Sequence, residues 1–395
     1  MPKCIKSDYS QDENIQWSTK CFKFGCSKET RKDVGRTFSF LFITKQKFIC
    51  ISIVVFISFI YILLSNKSAN TKANMYLEGE GFLIDAFANS SDITNTANYR
   101  IILDADMDSD VDDTEALAML HTYTDKKIIN FLGVIVTSDD PSAPLCVSAI
   151  NRYYGRAFLP VGFLKNQAEL EGSSKYTEQI GNEFPHQLKS HENAPDAVAL
   201  YRKLLSDSPD QSVIIITTGH LTSLQNLLKS VGDRYSHLSG KELTEKKVIK
   251  WICMGGMFPA GKEANFSRPD PGATKYCLQE WQKPITFVGW EAGNQVITGD
   301  TYLKNKLTPE NPVYRAYELY NSFGGRPSWD QLAVFLLDKK SAEFITTVKG
   351  GYCQVYDDGK NKWLQDKDSK HEYISFKPGI NTEDIARYLD DLIDR

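Results

Sequence analysis

Seven carboxylates fall within twelve residues of this chain, in the run Asp104-Ala-Asp106-Met-Asp108-Ser-Asp110-Val-Asp112-Asp113-Thr-Glu115. A β-rich run precedes them and an apolar helical pattern follows. Charges packed this closely repel one another unless solvent or a cation neutralises them. Hard oxygen ligands of this kind suit Ca²⁺ or Mg²⁺. Asp112 and Asp113 would also meet the unpaired amides and positive dipole end of the following helix.

Taken alone, the run supports more than one reading. It can be a solvated loop with a helix cap. It also has EF-hand spacing from Asp104 to Glu115, apart from Ser109 where the sharp turn needs Gly and a strand where the entering helix should be. A third reading makes Asp104 and Asp106 the nucleophile and acid of a haloacid-dehalogenase-type phosphatase, with Thr217 or Thr218 as its second motif.

Three more stretches place polar groups just after predicted elements: Thr217-Thr218-Gly219, Met254-Gly255-Gly256 with Glu263 and Asn265 beyond it, and Trp329-Asp330. Each has a plain structural reading as well. Asp330 can cap a helix, Thr218-Gly219 can be an ordinary strand-to-helix turn, and the glycines can serve close packing.

In order, LDADMDSDVDDTEALAML, VIIITTGHLTSLQNLL, ICMGGMFPAGKEANFSRPDPGA and SWDQLAVFLL resemble the signature segments of the inosine-uridine-preferring nucleoside hydrolase family of calcium-dependent N-ribohydrolases. The resemblance covers Tyr99 to Asp338. It implies Asp106, Asp113 and Asp330 as side-chain ligands of Ca²⁺, with the Thr218 carbonyl as a further ligand. It implies Asp112 as general base, and Met254, Glu263 and Asn265 beside the ribose hydroxyls. The implied reaction hydrolyses the N-glycosidic bond of a ribonucleoside to free base and ribose. It passes through an oxocarbenium-like state, with water activated at the calcium ion and deprotonated by the aspartate.

Besides Asp140, which occupies the place where the second strand's loop often ends in Gly-Asn, the chain departs from the family pattern in two places. The Asp106-to-Asp112 loop is two residues longer than the best-known form and carries Asp108 and Asp110. Trp329 stands where several members have the His that protonates the leaving base. Trp329 can stack on a purine ring, which points to purine ribonucleosides. Tyr176, His186, His191 and His220 are candidates for a substitute acid. Asn265-Phe-Ser is formally a glycosylation sequon, expected to stay unmodified inside a folded site. With the usual His gone, the alternative is a catalytically inactive domain of the same fold that binds calcium or a ribosyl ligand.

These residues need elements to hold them. Arg100–Leu103, Ile128–Val136, Val213–Thr217, Val248–Met254 and Ile285–Val288 read as strands. Helical patterns alternate with them at Thr114–Thr122, Leu145–Tyr154, Asp196–Leu205, Leu221–Leu228 and Pro271–Leu278. That alternation predicts a Rossmann-like α/β domain over 99–395, with a mostly parallel central sheet and helices on both faces. Ligands of such sheets bind at the carboxyl ends of the strands, where the polar stretches fall. Leu164–Asn193 shows no clear periodicity and reads as a long loop.

The 395 residues, 42% hydrophobic and 24% charged with a net charge of −4, are those of an ordinary globular protein and give no reason to expect a nucleic-acid partner. Ten Lys or Arg against five Asp or Glu in residues 1–47 suggest a polar cytoplasmic tail. Phe48–Leu64 is apolar without a charge, and at 1.5 Å per residue it spans roughly 25 Å, enough for a transmembrane signal-anchor helix. Residues 65–98 read as a stem. The expected placement is a single-pass type II membrane protein with its domain extracellular or lumenal. Cys146, Cys253, Cys277 and Cys353 would then permit up to two disulfides. The domain is expected to take a small nucleoside substrate and can form a homo-oligomer.

Overall fold

A computed structural model describes residues 99–165 and 174–394. Its strands are β1 (Tyr99–Ala105), β2 (Ile129–Val136), β3 (Val161–Phe163), β4 (Val213–Thr217), β5 (Val248–Met254), β6 (Ala260–Lys262), β7 (Ile285–Val288), β8 (Ile297–Thr298), β9 (Arg326–Pro327), β10 (Ile345–Val355), β11 (Lys360–Gln365) and β12 (His371–Phe376). The first strand shows why a sheet forms here. Ile101, Leu103 and Ala105 enter one buried cluster, and Ile102 enters another on the opposite face. Side chains alternate across a strand, so a run that is apolar at every position must be covered on both sides.

Ten strands form one sheet in the order β3-β2-β1-β4-β5-β7-β12-β10-β11-β6. From β3 to β12 every neighbouring pair is parallel. The β12-β10, β10-β11 and β11-β6 pairs are antiparallel. The parallel part agrees with the sequence reading, as do the five helices expected between its strands. The antiparallel extension adds strands that the alternation did not announce. Because β1 pairs with β2 on one side and β4 on the other, the chain reverses its winding there. A crevice opens at the carboxyl ends of β1 and β4, as at other topological switch points.

The Asp112–Asp125 helix fills the space behind that crevice, with twelve of its fourteen residues buried. It packs against β2 and against the helices Trp329–Phe335, Pro312–Asn321 and Thr382–Leu392. Its buried positions include Asp112, Asp113, Glu115 and His121, so the helix carries polar groups into the interior of the domain. Within the expected long loop, Thr177–Glu183 is helical and His191–Asn193 forms a 3₁₀ turn.

Two expectations change. Among the described residues no helix is long and apolar enough to cross a membrane, so the single-pass placement is not supported. The Phe48–Leu64 run on which it rested, with the tail and stem, lies outside the described residues. Cys146, Cys253, Cys277 and Cys353 are all free and buried, so neither permitted disulfide forms among them.

Candidate active site

Asp104, the last polar group of β1 before its end, turns away from the crevice. The Tyr201 hydroxyl donates to its Oδ2 at 2.7 Å, and its Oδ1 is buried with no partner. Burial pushes its carboxyl up to about 8, against the opposing effect of that hydrogen bond. Glu115 is equally remote, its Oε2 taken by the Tyr317 hydroxyl at 2.6 Å and by Gln331 Nε2 at 3.1 Å. The two ends of the EF-hand reading therefore never meet at one ion. The phosphatase reading fails on the same aspartate, and Thr217 Oγ1 is engaged by the Trp251 indole N–H at 2.9 Å.

The remaining acids converge. A cleft of about 520 Å³ is lined by Asp106, Asp112, Asp113, Thr218, Met254, Glu263, Asn265, Trp329 and Asp330, together with Ser109, Asp110, Ala264, Arg268, Pro269, Trp290 and Arg326. All nine site residues singled out from the sequence are on its wall. One oxygen each from Asp112, Asp113 and Asp330 lies within 4.8 Å of the others. Asp106 stands beside this trio and contacts Asp113, so the set that converges most tightly has Asp112 where Asp106 was expected.

Local structure explains the convergence. Asp112 and Asp113 occupy the first helical turn, where free amides and the dipole favour negative charge. Asp330 is in the first turn of the Trp329–Phe335 helix, and its backbone N–H donates to Asp112 Oδ2 at 3.3 Å. The Thr218 hydroxyl donates to Asp113 Oδ1 at 2.9 Å. Gly219 admits this approach, since a Cβ there would sit 2.6 Å from the Asp106 Cβ.

Asp106, Asp112, Asp113 and Asp330 are each 8% exposed or less, and none forms an ion pair with Lys or Arg among the described residues. Burial first, then mutual repulsion, drives Asp106, Asp112 and Asp330 well above the usual carboxylate range. Burial raises Asp113 to about 7 although its hydrogen bonds oppose the shift. Arg326 offsets the charge of Asp112 only in part, and four buried acids gathered together are costly as anions. All their donors are oxygen, so the set fits a hard divalent cation, which would remove that cost.

Next to the acids, joined to them through Thr218, lie polar groups suited to a polyhydroxylated ligand. Glu263 caps the Ala264–Ser267 turn, accepting from the backbone N–H of Asn265 at 2.7 Å and of Gly256 at 3.0 Å. Asn265 Nδ2 donates to the Thr218 carbonyl at 2.9 Å and contacts Met254 Sδ at 3.1 Å. The Asn265 amide is thus engaged within the cleft. The Thr218 carbonyl keeps a second lone pair for another partner. Trp329 is half-buried, and its indole N–H donates to the Trp290 carbonyl at 2.9 Å.

None of the four candidate substitute acids lines the cleft. The Tyr176 hydroxyl donates to the Asp110 carbonyl at 2.6 Å, His186 Nδ1 contacts the Leu188 carbonyl at 2.5 Å, His191 packs on Phe163, and His220 Nδ1 contacts Thr222 Oγ1 at 3.0 Å. The additional loop acids are held separately: Asp108 Oδ2 accepts from Ser138 at 3.0 Å, and Asp110 Oδ1 pairs with Arg326 at 2.6 Å. Sequence reasoning passed over Arg326, Trp290 and Arg268, which no spacing or periodicity marks.

A family model described as inosine-uridine preferring nucleoside hydrolase matches residues 101–373. No curated protein matches the sequence. Among solved structures, the inosine-uridine preferring nucleoside hydrolase from Bacillus anthracis is similar with a TM-score of 0.56 at 17% identity, over 75% of this chain and 99% of that one. A plant nucleoside hydrolase is similar with a TM-score of 0.55 at 17% identity, over 75% and 99%. The type III effector protein XopQ, complexed with adenosine diphosphate ribose, is similar with a TM-score of 0.53 at 12% identity, over 75% and 94%.

Proposed function

The chain belongs to the inosine-uridine preferring nucleoside hydrolase family and is a hydrolase acting on N-glycosyl compounds, and from that premise we propose that it cleaves purine ribonucleosides with Ca²⁺ as cofactor and Asp112 as general base. The observation that carries this reading is the cleft itself. It gathers four buried carboxylates together with the polar side chains of Glu263 and Asn265 and the aromatic ring of Trp329.

In this reading Asp106, Asp113, Asp330 and the Thr218 carbonyl would hold the calcium ion, beside Asp112. When bound, the cation lowers the pKa of a water in contact with it. Asp112, fixed by the Asp330 N–H, takes the proton from the attacking water. Glu263, Asn265 and Met254 position the ribose, so that the anomeric carbon is held at attacking distance from that water. Trp329 offers its face to the departing purine.

Base release from inosine tests the assignment. Asp112→Asn should lower kcat by about 10²- to 10⁴-fold, while calcium still raises the melting temperature of the variant. An Asp112→Asn protein as active as the wild type would move the base role to Asp106. A second reading, a ribosyl-binding domain without turnover, draws on the effector complexed with adenosine diphosphate ribose. It predicts ligand binding with no base release from any nucleoside.

A further inference from the structure

The chemistry above leaves the guanidinium on the wall beside Trp329 without a task. Arg326 opens β9, which pairs with β8 through Thr298. It sits three positions before Trp329, with its charge 5.0 Å from that ring's centre and 5.6 Å from the Tyr320 ring. Its Nη2 is 2.6 Å from Asp110 Oδ1, and the Tyr320 hydroxyl donates to the same oxygen at 2.8 Å. The Tyr176 hydroxyl fixes the Asp110 backbone at 2.6 Å. Asp110 belongs to the lengthened acidic loop, so the two departures noted in the sequence, the extra acid and Trp329, meet at one arginine.

This arrangement does more than tie down a loop. A planar guanidinium held by one carboxylate and laid near an aromatic face presents its remaining N–H groups in a fixed plane. The Arg326 Nε–H is buried and has no acceptor. A ligand in the adjoining cleft does not reach that sealed atom, but the Arg326 side chain is 29% exposed, so its open N–H groups can donate to one. Both Arg326 and Trp329 line that cleft.

We propose that Arg326, oriented by Asp110 against Trp329, receives the leaving base in place of a general acid and favours 6-oxopurines; this rests on the hydrolase reading above. As the C1′–N bond breaks, its electron pair departs with the base. The guanidinium stabilises that charge through N–H donors and keeps its own protons, since it does not deprotonate in proteins. Water oxygen bonds to C1′, one water proton passes to Asp112 and on to solvent, and the base takes its proton from solvent. A fork of donors matches the N7 and O6 acceptors of hypoxanthine or guanine, whereas the adenine amino group offers donors at that edge. Arg326 is then a catalytic residue and Asp110 a positioning residue.

The test compares leaving groups. Wild type, Arg326→Gln, Arg326→Lys and Asp110→Asn are assayed with calcium on inosine, adenosine and p-nitrophenyl riboside, whose phenolate needs no help to depart. Arg326→Gln should lose about 10²-fold in kcat on inosine and less than about 3-fold on p-nitrophenyl riboside. Arg326→Lys, which keeps the charge without the fork, should fall between wild type and Arg326→Gln on inosine and lose the preference over adenosine. Asp110→Asn should repeat the Arg326→Gln pattern more weakly. Equal losses on inosine and p-nitrophenyl riboside would overturn the proposal and leave Arg326 as a loop clamp. A wild type that turns over none of the three, p-nitrophenyl riboside included, would overturn the hydrolase reading and the proposal with it.

Discussion

Asp104 and Asp106 are two positions apart and reach opposite environments. Asp106 lines the cleft; Asp104 is sealed behind the sheet on the Tyr201 hydroxyl. With its carboxyl pushed up to about 8, Asp104 is neutral at pH 7. Asp104→Asn should therefore raise urea stability at pH 7, because Asn supplies the neutral group without the proton uptake that folding demands of the carboxylate. Asp104→Leu, which strands the Tyr201 hydroxyl, should be less stable than Asp104→Asn by about 1–3 kcal/mol. Because this acid binds its proton more tightly folded than unfolded, its contribution is full below 3.8 and is lost as pH rises through about 8. Stability measured from pH 4 to pH 8 should decline less steeply in Asp104→Asn. That nine residues would lie together on one cleft was legible because each follows a strand end or opens a helix in family order. Arg326 was not legible, since a lone Arg in a two-residue strand carries no pattern.

Between the residues and the fold stand the helices that hold the acids. Tyr317, Gln331 and Glu115 tie the Pro312–Asn321, Trp329–Phe335 and Asp112–Asp125 helices together behind the cleft. Glu115 is one turn from Asp112, and Gln331 adjoins Asp330. Tyr317→Phe removes a buried donor to Glu115 and should cost about 1–3 kcal/mol of unfolding free energy by urea titration. The same variant should lower kcat on nucleosides more than it raises KM, because it loosens the catalytic acids rather than the ribose wall. The parallel strands were readable as short apolar runs between helical patterns. β10 to β12 were not, because ITTVKGGYCQV, KNKWLQ and HEYISF have one face half-exposed and mix Lys, Gln and Glu with their apolar residues. A local β10-β11 hairpin flanked by β12, with the distant pairing of β11 to β6 at its edge, completes that half of the sheet.

At the scale of the molecule, metal binding and folding should be linked. Asp113 is raised to about 7, and Asp106, Asp112 and Asp330 are raised as well, so the cluster holds protons that a cation must displace. Without metal, their contribution to stability declines as pH rises through these raised values. Calcium should therefore raise the melting temperature more at pH 8 than at pH 5.5; an equal shift at both would place the ion elsewhere. The central claim is hydrolysis, and free ribose released from a panel of nucleosides, with calcium and with chelator, tests it most directly. The account predicts calcium-dependent release, greatest with purine nucleosides and abolished by chelator. Calcium-saturated, folded protein that releases no ribose from any of them would contradict it.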